Sequence, residues 1–226
     1  MKPAEYCDPL AAGLTGLSNA SKVVEMKRYM KGRFDFYGVQ RDERDTIVRK
    51  HLEEFGLPGN ETHDLVIRRL WNADQRELQY IALEILYRTQ KAAPAERITL
   101  YEELVVTRSW WDTVDMIAQK LIGPHLKSNT DLISERVESW RRADDIWLNR
   151  TAILFQNRYR GDTDFALLSS LAEQFAGNSE FFIQKAIGWS LRQYAKIDPA
   201  AVVDLTDSIP LSSLARREAL KHIEKG

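Results

Sequence analysis

Apolar residues recur at three- and four-residue intervals along almost the whole chain, and strict two-residue alternation is scarce. In Leu78–Tyr87, positions 78, 82, 85 and 86 fall on one helical face. Leu132, Val137 and Trp140 read the same way, as do Ile183, Ile187, Leu191 and Tyr194. Breaks come at Gly56-Leu-Pro-Gly-Asn60, Pro94, Gly123-Pro124, Gly161-Asp162, Gly177-Asn178, Pro199 and Pro210. Between them fit about twelve helices of roughly ten to eighteen residues, joined by short connectors. No convincing strand pair emerges, so the predicted class is all-α.

The helices also resemble one another. Leu148-Asn-Arg-Thr-Ala152-Ile-Leu-Phe155 aligns with Phe182-Ile-Gln-Lys-Ala186-Ile-Gly-Trp189, each with an alanine among large apolar positions. Ala82 and Ala118 occupy similar places, giving spacings of 36, 34 and 34 residues. That period suits stacked helix pairs, in which a small residue lets neighbours approach and each pair hides its apolar face only by stacking. The expected architecture is a curved solenoid, one domain over residues 1–226, with the second helix of each pair lining one face.

Composition adds bounds. With 226 residues, 44% hydrophobic and 29% charged, the chain can build a substantial core and is unlike a disordered segment. A formal net charge of −1 means that any nucleic-acid surface is a local basic patch. Cys7 is the sole cysteine, which excludes an internal disulfide and a thiolate zinc cluster. The first residues lack the apolar core of a secretory signal, and no apolar stretch reaches membrane length. These features predict no membrane partner and a cytoplasmic location.

Neither nucleotide-binding glycine fingerprint is present. Histidines 51, 63, 125 and 222 are scattered without a carboxylate cluster, so they are expected to be structural or on the surface, with no metal. The unusual residues are the six tryptophans. In Ser109-Trp-Trp-Asp-Thr-Val-Asp115, Trp111 and Asp115 are four apart and share a helical face. Ser109 is expected to open that helix, Asp112 to complement its dipole and Trp110 to pack inward. By themselves Trp111 and Asp115 read as a packed aromatic and a solvated acid. Stacked repeats would bring them to one concave face with Arg150 and Trp189, surrounded by Arg141, Arg142, Arg158, Arg160, Lys185 and Arg192. Lys27, Arg28, Lys31, Arg33, Arg41 and Arg44 would extend the basic stripe. A groove of cations and aromatics suits phosphates and sugars.

At this point the sequence resembles the AlkD-type DNA alkylation repair glycosylases, a family of HEAT-like helical repeats. The resemblance lies in Tyr29–Gln40, Ser109–Asp115, Asp145–Gln156, Glu180–Trp189 and Arg216–His222, in that order. It implies a right-handed α–α superhelix without metal, cofactor or obligate protein partner, and an open basic groove that accepts duplex DNA works as a monomer. The implied reaction is hydrolytic release of cationic N3- and N7-alkylpurines from duplex DNA, with the enzyme on the nucleoid when acting. It also implies catalytic roles for Trp111, Asp115 and Trp189 around the deoxyribose, with Arg150 on the phosphate. Arg158 and Arg192 correspond to backbone contacts, with Tyr29 and Gln40 in a DNA-facing N-terminal block; Arg41, Arg44 and Lys185 are further candidate DNA contacts.

The chemistry is coherent. Cleaving an N-glycosidic bond builds positive charge on the sugar. An alkylated cationic purine leaves neutral without protonation, so one carboxylate suffices. Asp115 would stabilise the sugar cation and orient water, and the tryptophan faces would favour the same charge. Two other readings remain: a non-catalytic repeat protein that binds damaged or branched DNA, and a scaffold for protein partners.

Overall fold

The computed structural model describes residues 1–223, and among them only helices and connectors occur, apart from one isolated bridge between Asp35 and Gln75. The chain forms two compact units, Met1–Ala93 and Pro94–Gly226.

The first unit contains α1 (Pro3–Gly16), α2 (Ala20–Tyr29), α3 (Arg41–Phe55), α4 (Asn60–Trp71) and α5 (Arg76–Thr89). Helix α1 docks through Tyr6, Cys7, Leu10 and Leu14, all buried, against α3 and α4. The segment before α3 is tied down by Glu77. Its fully buried carboxylate accepts the backbone N–H groups of Tyr37, Gly38 and Val39 at 3.1, 2.9 and 3.2 Å. Three such bonds offset the cost of burying the charge. Gly38 sits at φ +86°, and a Cβ there would lie 2.3 Å from the Asn19 carbonyl oxygen, so only glycine fits.

The second unit contains α6 (Arg97–Val106), α7 (Trp111–Met116), α8 (Gly123–Ser128), α9 (Leu132–Arg142), α10 (Ile146–Leu154), α11 (Phe165–Gln174), α12 (Phe181–Tyr194), α13 (Pro199–Ser208) and α14 (Ser213–Leu220). Apart from Gly123-Pro124, the sequence breaks of this unit fall between helices or at their starts, and short polar side chains start several of the helices that follow. Asp145 accepts from the N–H groups of Trp147 and Leu148 at 2.8 and 3.0 Å. Asp164, Asp198 and Ser212 do the same for α11, α13 and α14.

Two expectations fail locally. Gly123-Pro124 does not end a helix: residues Ile117–Ile122 widen into a π-helical turn, and α7, that turn and α8 run on without a break. Pro124 lies at the start of α8, where the wider turn accommodates its missing N–H. Gly123 is required for a different reason, since a Cβ would meet the Phe155 carbonyl oxygen at 2.4 Å. Ser109 does not open α7 either. Trp110 is the N-cap residue, and the Ser109 hydroxyl donates back to the Val105 carbonyl at 2.6 Å. Asp112 does occupy the first turn of α7.

The pairing of helices is visible inside the second unit. Helix α10 packs on α9, α12 on α11, and α14 on α13, while α10, α12 and α14 pack successively on one another and α10 also on α7. Ala82, Ala118, Ala152 and Ala186 are all fully buried, as the period requires. Ala219 of α14, 33 residues beyond Ala186, is buried too. A second recurring device is a buried amide that ties the end of the first helix of a pair to the second. Asn149 donates to the carbonyls of Trp140 and Ala143, and Gln184 to those of Phe175, Ala176 and Asn178. In the first unit Gln79 does the same for Trp71 and Ala73. The carbonyls bonded lie in the last turn of the helix or just beyond it, where the intrahelical ladder runs out of donors.

Candidate functional site

Four of the six tryptophans are core residues: Trp71 and Trp140 are 1% exposed, Trp110 8% and Trp147 9%. The other two, Trp111 and Trp189, are only half-buried. Trp110, as expected, packs inward, with ring centroids 5.7 Å from Trp147 and 5.0 Å from Phe182. The two half-buried rings line one pocket of about 240 Å³ in the second unit. Asp115 joins them from α7, Arg150 from α10, Phe181, Phe182, Lys185 and Arg192 from α12, and Glu218 from α14. The four central residues predicted from sequence therefore meet in one place.

Asp115 and Arg150 form a two-point fork. Arg150 Nε donates to Asp115 Oδ1 at 2.7 Å and Nη2 to Oδ2 at 2.9 Å, while Nη1 donates to the Phe182 carbonyl. The Arg150 side chain is 5% exposed and that of Asp115 16%, so the carboxylate is the half that reaches the pocket. Three of five guanidinium N–H groups are used in this way. Arg150, expected on the phosphate, first of all fixes Asp115. Burial pushes the Asp115 carboxyl above its ordinary value; the Arg150 hydrogen bonds and charge pull the other way, and Asp112 adds a smaller upward push.

Glu218 is the residue that sequence reasoning missed. Its carboxylate pairs with Lys185 Nζ at 2.9 Å and Arg192 Nη1 at 2.6 Å. The Lys185 hydrogen bond, followed by that of Arg192, holds the Glu218 carboxyl below the usual carboxylate range despite its desolvation. Phe182, which opens one of the aligned repeat segments, was not among the site residues expected from sequence. It supplies the carbonyl for Arg150 and a ring 5.9 Å from the guanidinium carbon. Nothing short of the fold joins these residues, although Glu218 lies within the Arg216–His222 block.

The remaining candidates lie elsewhere. Arg158 and Arg160 line a separate cleft of about 810 Å³ with Lys127 and Lys196. Arg141 and Arg142 both pair with Glu138. In the first unit Tyr29 is 68% exposed at the end of α2, and Gln40 is exposed at the start of α3. Arg41 is exposed and pairs with Asp45 at 3.4 Å. Arg44 is held 4.9 Å over the Tyr80 ring, largely buried, which lowers its pKa. The basic count from sequence thus overstates the free positive charge, because acidic neighbours hold many of these cations. No group of three potential metal ligands occurs among the described residues, and no helix there is long and apolar enough to cross a membrane.

Comparison with known proteins agrees with the resemblance. A solved structure described as a predicted DNA alkylation repair enzyme from Enterococcus faecalis superposes with a TM-score of 0.86 at 30% sequence identity, covering 92% of this chain and 98% of that one. No curated protein sequence matches significantly. The family model for the DNA alkylation repair enzyme matches residues 10–223, so the chain belongs to the DNA alkylation repair enzyme family.

Proposed function

We propose that the protein is a monofunctional DNA glycosylase that hydrolyses the N-glycosidic bond of cationic N3- and N7-alkylpurines in duplex DNA, without a cofactor. The observation that carries this reading is the Asp115 carboxylate, held in the Arg150 fork between two half-buried tryptophans in one pocket. A DNA-binding groove alone gains nothing from a carboxylate set beside phosphates, whereas a reaction that builds positive charge on a sugar does.

Bond cleavage moves the electron pair of the C1′–N bond onto the base and leaves the sugar oxocarbenium-like. Asp115 stabilises that charge and accepts a hydrogen bond from the water that attacks C1′; as the C1′–O bond forms, that water's proton passes along the hydrogen bond and out to solvent. The faces of Trp111 and Trp189 add a cation–π contribution of about 0.5–2 kcal/mol each. Arg150 aims the carboxylate and favours its ionised form against burial; its uncommitted N–H groups are available to a backbone phosphate. Tyr29, Gln40, Arg41, Arg44 and Arg158 are proposed as backbone contacts outside the pocket.

The leaving group follows from the carboxylates. Asp115 serves as an anion while it accepts both Arg150 bonds, and Glu218 is kept ionised by its two cations. Glu218 is therefore not a proton donor for a neutral base, and Asp115 is committed as the anion that faces the sugar. A base that is already cationic leaves neutral without one. The pocket, at about 240 Å³, is smaller than the usual enclosed ligand cavity, which favours gripping the sugar and backbone over swallowing a base.

The test is base release from alkylated duplex DNA by wild type and Asp115→Asn. Wild type should release 3-methyladenine and 7-methylguanine and leave uracil in place, and Asp115→Asn should bind and not cut. Release of uracil with retention of the methylpurines overturns the reading. DNA binding without cleavage by both proteins favours a non-catalytic binder.

A further inference from the structure

The pocket holds a second carboxylate that the proposed reaction does not use. Glu218 faces α12 from α14 and bridges Lys185 and Arg192, two cations seven residues apart on the same side of α12. Its own side chain is 15% exposed, while Lys185 and Arg192 are 37% and 18% exposed, so the acid is less exposed than either of the cations it holds. Its position is fixed by backbone packing. A Cβ on Gly188 would lie 2.5 Å from Glu218 Cβ and 2.7 Å from the Ala215 carbonyl oxygen, so α12 and α14 approach as closely as a glycine permits. Such a carboxylate is set by two helices rather than left to wander on the surface.

Resting on the glycosylase reading of this pocket, we infer that Glu218 is a specificity-determining residue: an acidic clamp that keeps Lys185 and Arg192 from pairing fully with undamaged phosphates and tunes the pocket for a cationic base.

The charges favour this role. The five ionic residues around the pocket, Asp115, Arg150, Lys185, Arg192 and Glu218, carry a formal charge of +1 together. Without Glu218 that becomes +2, and the added positive field opposes a cationic purine and a cationic sugar while attracting any phosphate. A groove that maximised DNA affinity would leave both cations free. This one holds them in bonds of 2.9 and 2.6 Å, trading general affinity for a weaker, selective grip.

Glu218→Gln, which preserves shape, tests the clamp. Binding to undamaged duplex is measured across a salt series, and single-turnover release of 7-methylguanine at saturating enzyme. The expected result is tighter binding at low salt, with a log–log salt slope steeper by about one, since each neutralised phosphate contributes about 0.9. Release should slow several-fold. Adding Lys185→Met to Glu218→Gln should return the slope to the wild-type value, which a merely structural role for Glu218 would not do. Glu218→Asp keeps the charge at shorter reach and should fall between, even if Glu218→Gln folds poorly. An unchanged slope in both Glu218 variants overturns the clamp. Wild type that binds duplex and releases no base overturns the reaction instead, with the clamp still judged on the slope.

Discussion

Arg150 meets Asp115 through two parallel hydrogen bonds, at 2.7 and 2.9 Å, with the guanidinium behind the carboxylate and the carboxylate toward the pocket. The fork ties α7 to α10, residues 35 apart in sequence, and so converts the packing of two repeats into the orientation of one acid. A lysine at position 150 offers a point charge without the planar fork. Arg150→Lys should therefore bind DNA nearly as wild type does and lower the single-turnover rate of methylpurine release by 10-fold or more. Arg150→Ala should also destabilise the fold by about 3 kcal/mol, because it leaves a largely buried carboxylate and the Phe182 carbonyl without their donor. Chemical denaturation beside the release assay separates the two effects; a rate unchanged in Arg150→Lys would mean that aim is unimportant.

The raised Asp115 carboxyl sets a pH dependence. Because burial favours its protonated form, the ionised form needed for catalysis is lost, on acidification, at a higher pH than for an ordinary carboxyl. Release rates measured at saturating enzyme should fall on the acid side with a midpoint above the ordinary aspartate range. The stability sign is opposite: protonation of Asp115 favours the folded state, so its contribution is fully present below its unfolded value and is lost as pH rises through the folded one. A rate profile flat down to the ordinary aspartate range would show that the fork dominates over burial.

The two kinds of tryptophan should respond differently to truncation. Trp140 is 1% exposed, and its indole N–H donates to Glu102 at 2.7 Å. Trp140→Ala should cost about 3–5 kcal/mol of stability, visible as a lower denaturation midpoint. Trp111→Ala and Trp189→Ala remove half-buried rings and should cost less stability. Each should slow base release by roughly 2- to 30-fold, the rate equivalent of one lost cation–π contact. Equal stability losses at all three positions would make Trp111 and Trp189 ordinary packing residues.

The difference between what was and was not legible in the sequence is one of range. Helical periodicity, and the four-residue step from Trp111 to Asp115, are local geometry and could be read directly. The buried alanines carried the repeat period, because small residues are forced where helices approach. Glu218 could not be found that way: its partners lie 33 and 26 residues upstream, and their meeting depends on the α12–α14 approach at Gly188. The helix through Gly123-Pro124 was hidden for a related reason. Proline is a local stop signal, and only the π turn before it together with the Phe155 carbonyl against Gly123 explains why the chain continues. Ser109 likewise carries a helix-opening signature, yet its hydroxyl turns back to the preceding helix. Charge was misjudged where acids intervene, as Glu138 does for Arg141 and Arg142.

Gly188 lies one residue before Trp189, and its missing side chain is what brings α14 against the site. A methyl group there would overlap the Ala215 backbone carbonyl at 2.7 Å as well as Glu218 Cβ at 2.5 Å, and backbone cannot swing aside as a flexible side-chain end can. Gly188→Ala must therefore push α14 outward. The helix-propensity gain of alanine over glycine, about 1 kcal/mol, works against a packing cost of about 1–3 kcal/mol, so the net loss of stability should be small. The functional loss should be larger, because Glu218 moves with α14 and releases Lys185 and Arg192. The expected pattern is a denaturation midpoint near that of wild type, slower release of 7-methylguanine, and a steeper salt dependence of binding to undamaged duplex. Near-normal release together with normal salt dependence would show that α14 can shift without disturbing the pocket.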